Sequence, residues 1–157
     1  MVADGPQGAP WAIHSLASAE PKESAVEIIT QQLIGQELSA VGDERFTATD
    51  AASGESLDPA FAEATVEEVN LACELAAEAF APYRATPLNA RAALLEAIAA
   101  ELDALAGALA ERIPAETGLP AARAKGELAR TTGQLRLFAA AVRQGQYTAP
   151  RIDRPQP

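Results

Sequence analysis

The sequence predicts a mostly helical α/β chain, with a small β-meander over residues 32–62 followed by about four α-helices over 63–145. Three observations carry this reading. Short apolar stretches between Leu33 and Phe61 are separated by turn residues. From Thr65 onward apolar residues recur at the spacing of an amphipathic helix. Thr117-Gly118-Leu119-Pro120 then ends one helix and opens another, since glycine accepts a left-handed C-cap and proline suits a first helical turn.

Residues 1–31 include Gly5, Pro6, Gly8, Pro10 and Pro21 with no sustained periodicity, and are expected to be a disordered extension. Trp11 and His14 fall in it, and Trp11 reads as an incidental residue rather than a docking anchor. Leu33–Leu38 reads as a short hairpin turning at Gly35. Glu44–Thr49 is a second strand with Phe46 and Ala48 on one face. Asp50-Ala51-Ala52-Ser53-Gly54-Glu55 is a turn by composition. Leu57–Phe61 pairs back, and Pro59 places it at an edge because proline donates no ladder hydrogen bond.

Thr65-Val66-Glu67-Glu68 is a capping box, in which Thr65 caps the helix and Glu68 reaches back to its N–H. Val66, Val69, Cys73, Ala76, Phe80 and Tyr83 line one face of the first helix, expected to be the packed one. Thr86-Pro87 opens the next, with Thr86 as cap and Pro87 at the first helical position. Its apolar face runs through Leu88, Ala92, Leu95, either Ile98 or Ala99, and Leu102. Leu105, Leu109 and Ile113 carry a third segment, which Pro114 is expected to stop or bend. The last helix has a stripe of Ala121, Ala124, Leu128, Thr131, Leu135, Phe138 and Val142. Gly126, Gly133 and Ala140 form a second line. Each interior glycine costs about 1 kcal/mol relative to alanine, so that line is expected to meet a neighbouring backbone closely. Arg123, Glu127 and Arg130 stand at ion-pair spacings. Residues 146–157 are expected to be an extended tail, since Pro150, Pro155 and Pro157 prevent a helix.

Composition narrows the function. The chain has 157 residues, enough for one domain, and 48% of them are hydrophobic, but only 4% are aromatic. A net charge of −10 argues against nucleic acid and against anionic membrane surfaces, both of which select clustered lysine and arginine. No apolar run approaches the roughly 20 residues of a membrane span. One cysteine leaves no internal disulfide and suits a reducing compartment, so a cytoplasmic location is expected.

No reactive constellation emerges. Cys73 lies mid-helix on an apolar face with Glu74 beside it, and reads as a buried structural thiol rather than a nucleophile. With His14 the lone histidine, neither a Ser–His–Asp set nor a Cys/His metal cluster can be assembled. There is no phosphate-cradling glycine loop. Glu67, Glu68, Glu74, Glu78, Glu96 and Glu101 read as solvated surface carboxylates. No catalytic, cofactor-binding or metal residue is therefore assigned.

The order of elements nevertheless resembles the N-terminal part of an NAD(P)-dependent aldehyde dehydrogenase, over about residues 32–157. Leu33-Ile34-Gly35-Gln36-Glu37 resembles that family's opening hairpin, and Asp50–Glu55 its Asn-Pro-Ala-Thr-Gly-Glu turn. Ala64–Val69 through Ala79-Phe80 and Arg91–Leu95 through Leu102 resemble its first two helices. Glu116–Pro120 followed by Arg130-Thr131-Thr132-Gly133-Gln134-Leu135-Arg136-Leu137-Phe138 is the most specific match. It is similar to the branch acting on α-ketoglutaric semialdehyde (2,5-dioxovalerate) and fatty aldehydes.

The resemblance implies that residues 32–145 belong to a cofactor-binding domain, and that the full-length enzyme takes NAD or NADP and an aldehyde. It also implies that homo-oligomers form only at full length. The family's Pro-Trp-Asn segment, cofactor-contacting lysine, Glu-Leu-Gly-Gly base segment and cysteine nucleophile would all lie after Pro157. The chain alone is thus expected to bind no cofactor, to be inactive, and to be aggregation-prone or partly molten. The alternative is a non-catalytic acidic α-helical interaction module.

Overall fold

Two hairpins precede four helices, in the order the sequence predicts. The computed structural model describes residues 26–148, so Trp11 and His14 lie outside the described residues. The strands are β1 (Gln32–Ile34), β2 (Glu37–Ser39), β3 (Arg45–Thr49) and β4 (Ser56–Ala62). The helices are α1 (Val66–Arg84), α2 (Leu88–Ala104), α3 (Ala106–Thr117) and α4 (Ala121–Gln144). A 3-10 turn, Gln146–Thr148, begins the stretch expected to be extended.

The strands do not form one continuous meander. They make two separate two-stranded antiparallel sheets, β1–β2 and β3–β4. In the first, Leu33 pairs with Leu38 around Gly35, whose φ of 64° is open to glycine but strained for other residues. In the second, Phe46 pairs with Phe61 and their rings stack with centroids 5.6 Å apart. Asp50 organises the turn as predicted: its Oδ1 accepts the N–H groups of Ala52 and Ser53 at 2.9 and 2.8 Å. The segment between β2 and β3 is drawn elsewhere, since Val41 N–H donates to the Glu68 carboxylate and Glu63 N–H to the Glu44 carbonyl. The hairpins join where Ala62 N–H donates to the Thr30 carbonyl and Gln32 Nε2 to the Ala62 carbonyl. Thr30, at the end of the stretch expected to be a disordered extension, is thus hydrogen-bonded to β4.

The capping box at Thr65 is complete. The face of α1 that packs is not the expected one, however. Val66, Val69, Cys73, Ala76, Phe80 and Tyr83 are all exposed, and Glu68 is the helix's only buried residue. Glu68 and Leu75 turn toward the first hairpin, where Leu75 Cδ1 lies 3.2 Å from the position a Cβ on Gly35 would take. Cys73 is therefore exposed rather than buried, because its stripe points away from every described element.

Thr86 does not cap α2. The N-cap is Pro87, and Thr86 instead donates its hydroxyl to the Tyr83 carbonyl. Arg91 completes the α1–α2 link, with Nε donating to Thr86 Oγ1 and the guanidinium 5.8 Å from the Tyr83 ring centroid. A break at Leu105 separates α2 from α3. Pro114 neither stops nor ends α3, which runs on to Thr117 and closes on Gly118 in the left-handed conformation. Ala51 N–H donates to the Ala115 carbonyl at 2.9 Å and so ties the Asp50 turn to the last turn of α3.

The helix–helix core lies between α2 and α4, which make the largest contact between helices. They run antiparallel, since Glu96 pairs with Arg143 and Asp103 with Arg136. Ala92 and Ala99 of α2 and Thr132 and Ala139 of α4 are buried, and Ala124, nearer the start of α4, is buried beyond the end of α2. Of the two α2 candidates, Ala99 takes the inward position and Ile98 stays outside. On α4 the buried row is likewise rotated from the predicted stripe, with Thr132 and Ala139 replacing Thr131 and Phe138. Small side chains form this contact, and the larger Phe138 ring is left 60% exposed. Among the described residues no large side chain is fully buried. The Gly126–Gly133 line meets nothing, because a Cβ at either glycine would find no heavy atom within 4 Å.

Candidate functional site

The most elaborate polar node is at Glu68. Its Oε1 accepts the Ser39 hydroxyl and the Val41 N–H, and its Oε2 accepts the Thr65 N–H and hydroxyl. These donors favour the carboxylate, with Ser39 the largest influence and the Thr65 and Val41 N–H groups next. They hold its pKa down at about 2. Sequence reading found the capping half of this node but took Glu68 for a solvated charge. The residue is only 5% exposed. An acid ionised so far below neutrality makes a poor general base, since proton transfer works best near the operating pH. Glu68 is a structural clasp between α1 and the first hairpin.

The other shifted carboxylates move the same way. Hydrogen bonds from the Ser53 and then the Ala52 N–H lower Asp50. Arg143 lowers Glu96, Arg136 lowers Asp103, and Arg130 followed by Arg123 lowers Glu127. The ion pairs expected among Arg123, Glu127 and Arg130 are present. Of the remaining acidic candidates, Glu67, Glu74, Glu78 and Glu101 are exposed, as expected. None of these shifts raises a carboxylate toward neutrality, as acid–base catalysis generally needs.

A cleft of about 1020 Å³ opens between α3 and β4. Val26, Ile28, Leu57, Phe61 and Leu109 give it apolar walls, and Arg112 stands among them. Arg112 is partly engaged: its Nε donates to Glu116 and one terminal nitrogen to the Asp58 carbonyl, while the other terminal nitrogen is buried without a partner among the described residues. No cysteine, serine, threonine or histidine lines the cleft. Cys73, on α1, does not line it, and no group of three or more His, Cys, Asp or Glu among the described residues could hold a metal.

No glycine-rich phosphate cradle opens a helix among the described residues. A phosphate cradle needs backbone N–H groups presented by glycines at a helix N-terminus. The positive-φ glycines are instead at the Gly35 and Gly54 turns and at the C-caps Gly118 and Gly145. Helix α1 opens with Glu67 and Glu68, whose charges repel phosphate, while α2 and α4 open after Pro87 and Pro120 without a side-chain cap.

The sequence profile described as "Aldehyde dehydrogenase family" matches residues 39–155, and the chain belongs to that family. Over 133 residues it is 52% identical to alpha-ketoglutaric semialdehyde dehydrogenase 2 of Azospirillum brasilense, covering 84% of this chain and 25% of that protein. Over 93 residues it is 44% identical to alpha-ketoglutaric semialdehyde dehydrogenase of Acinetobacter baylyi, covering 59% of this chain and 18% of that protein. The chain thus spans about a quarter or less of the length of these relatives.

Proposed function

We propose that this chain supplies the N-terminal part of an oxidoreductase that oxidises an aldehyde, most specifically 2,5-dioxovalerate, to the carboxylic acid with NAD(P)+. The observation that carries this is the 52% identity to a protein named for that semialdehyde, with a second relative of the same name at 44%. Residues 32–62 and 63–145 are assigned to the cofactor-binding domain, as supports on which the reacting residues of the longer enzyme are held. The described residues hold no nucleophile or base aimed into a pocket, so we assign no catalytic step to them and expect the chain alone to be inactive. Homo-oligomerisation is assigned to the longer enzyme. A cytoplasmic location suits the single cysteine.

A chimera tests this reading. The matched 133 residues of the Azospirillum relative are replaced by those of this chain, and NAD(P)H formation is followed with 2,5-dioxovalerate. Retained oxidation is expected. A folded chimera that oxidises other aldehydes but not this one would overturn the substrate. Turnover by the 157-residue chain alone would overturn its inactivity. The reading as an independent acidic module is disfavoured by membership of an enzyme family over residues 39–155.

A further inference from the structure

The cleft between α3 and β4 holds a charged group that its neighbours do not satisfy. Arg112 commits its Nε to Glu116 and one terminal nitrogen to the Asp58 carbonyl. The other terminal nitrogen is buried with no partner among the described residues. A guanidinium does not lose its proton in a protein, so a buried N–H there calls for an acceptor. Val26, Ile28, Phe61 and Leu109 give the cleft of about 1020 Å³ its apolar walls, and Glu111 and Glu116 stand beside them. The complementary occupant is apolar, carries no acid, and brings a neutral acceptor such as a peptide carbonyl.

We propose that residues 11–16 of the same chain seat in this cleft, with a backbone carbonyl accepting from the unpartnered nitrogen of Arg112. Three observations select this occupant. The described residues begin at Val26, which lines the cleft with Ile28, so the preceding chain starts from the cleft wall. Leu16 stands ten residues before Val26, and that length spans up to about 33 Å when extended, enough to reach any part of the cleft. Residues 5–19 contain no Asp or Glu in a chain that has 22, so they meet Glu111 and Glu116 without repulsion. Trp11, incidental on sequence alone, supplies apolar bulk together with Ile13 and Leu16.

Other occupants fit less well. Residues 149–157 offer Ile152 as their one large apolar side chain. They also start from the far end of α2, since Gly145 lies against Leu88 while Leu105 lines the cleft. The 17 residues of α2, at 1.5 Å each, set those ends about 25 Å apart. A second copy would bring a net charge of −10 against the two glutamates. The family profile covers residues 39–155, so residues 11–16 lie outside it and the contact does not depend on the choice of aldehyde.

Trp11 is the only tryptophan of the chain and reports on the seat directly. Acrylamide quenching of the 157-residue chain is compared with that of a peptide of residues 1–25. Quenching about tenfold weaker in the chain is expected, as a seat filled about nine-tenths of the time would give. Ile13→Asp sets an acid against the two glutamates without altering any described residue, and is expected to restore peptide-like quenching. Benzoylphenylalanine in place of Leu109 locates the contact, and irradiation is expected to join it to the tryptic peptide of residues 1–22 in the same chain. Equal quenching of chain and peptide overturns the proposal, as does protection that survives Ile13→Asp. Cross-linking to another segment, or between two chains, overturns it as well.

Discussion

The Glu68 carboxylate accepts the hydroxyl of Ser39, 29 residues earlier in the chain, and so fastens the start of α1 to the end of β2. The same carboxylate closes the capping box on Thr65.

This clasp is sensitive to acid. The folded pKa of Glu68, about 2, lies below its ordinary value of 4.5. A group depressed on folding contributes stability that is fully present above the unfolded pKa and is lost as pH falls through the folded one. Wild type is therefore expected to exceed Glu68→Gln in stability at pH 6–7, with the gap closing between about pH 4.5 and 2. Urea melts across that range check this. A gap independent of pH would show that the carboxylate's charge is irrelevant to the clasp.

Two glycines of the Glu116–Phe138 stretch are expected to respond oppositely to alanine. Gly118 is left-handed, with φ at 70°, so Gly118→Ala should cost about 1–2 kcal/mol. Gly126 is in regular helix with open space where a Cβ would go, so Gly126→Ala should stabilise the chain by about 1 kcal/mol. Equilibrium unfolding of both variants decides. Equal signs would mean that one backbone conformation has been misassigned.

The α2–α4 contact should resist enlargement. Ala99 is fully buried, and Ala99→Leu is expected to destabilise by about 1–3 kcal/mol through overpacking. Ile98→Leu, one position along and partly exposed, should be near neutral. Thermal melts of the two compare them directly.

The pairs Glu96–Arg143 and Asp103–Arg136 are solvent-exposed at nearly half of each side chain. Their contribution should fade in salt, since the Debye length shrinks to about 3 Å at 1 M. Arg143→Gln is expected to lower the melting temperature at low ionic strength and to match wild type at high salt. A salt-independent loss would mean that the stem of Arg143, not its charge, carries the effect.

Local chemistry was the most legible part of the sequence. Asp50, Thr65 and Gly118 do what turn and cap rules demand, because their hydrogen bonds close within a few residues. The α1 stripe was found but given the wrong role: periodicity identifies an apolar face without saying what covers it. Thr132 and Ala139 were missed beside Thr131 and Phe138 because both rows repeat every seven residues, and the spacing alone does not say which of them meets the neighbouring helix. The reach of Glu68 to Ser39 and Val41 depends on how the hairpin folds back, which no local spacing records. Cys73 was placed in a core that the described residues do not build.

The two ion pairs between α2 and α4 have a further consequence. Glu96 and Asp103 are one heptad apart, as are Arg136 and Arg143 on the opposing helix. A slip of α4 by seven residues could keep only one pair and would strand Asp103 and Arg143. Poly-alanine surfaces are smooth and could slide past one another at little cost. The charged rows act as a vernier on that smooth contact, so that the helices agree on one alignment even though the charges add little to its strength.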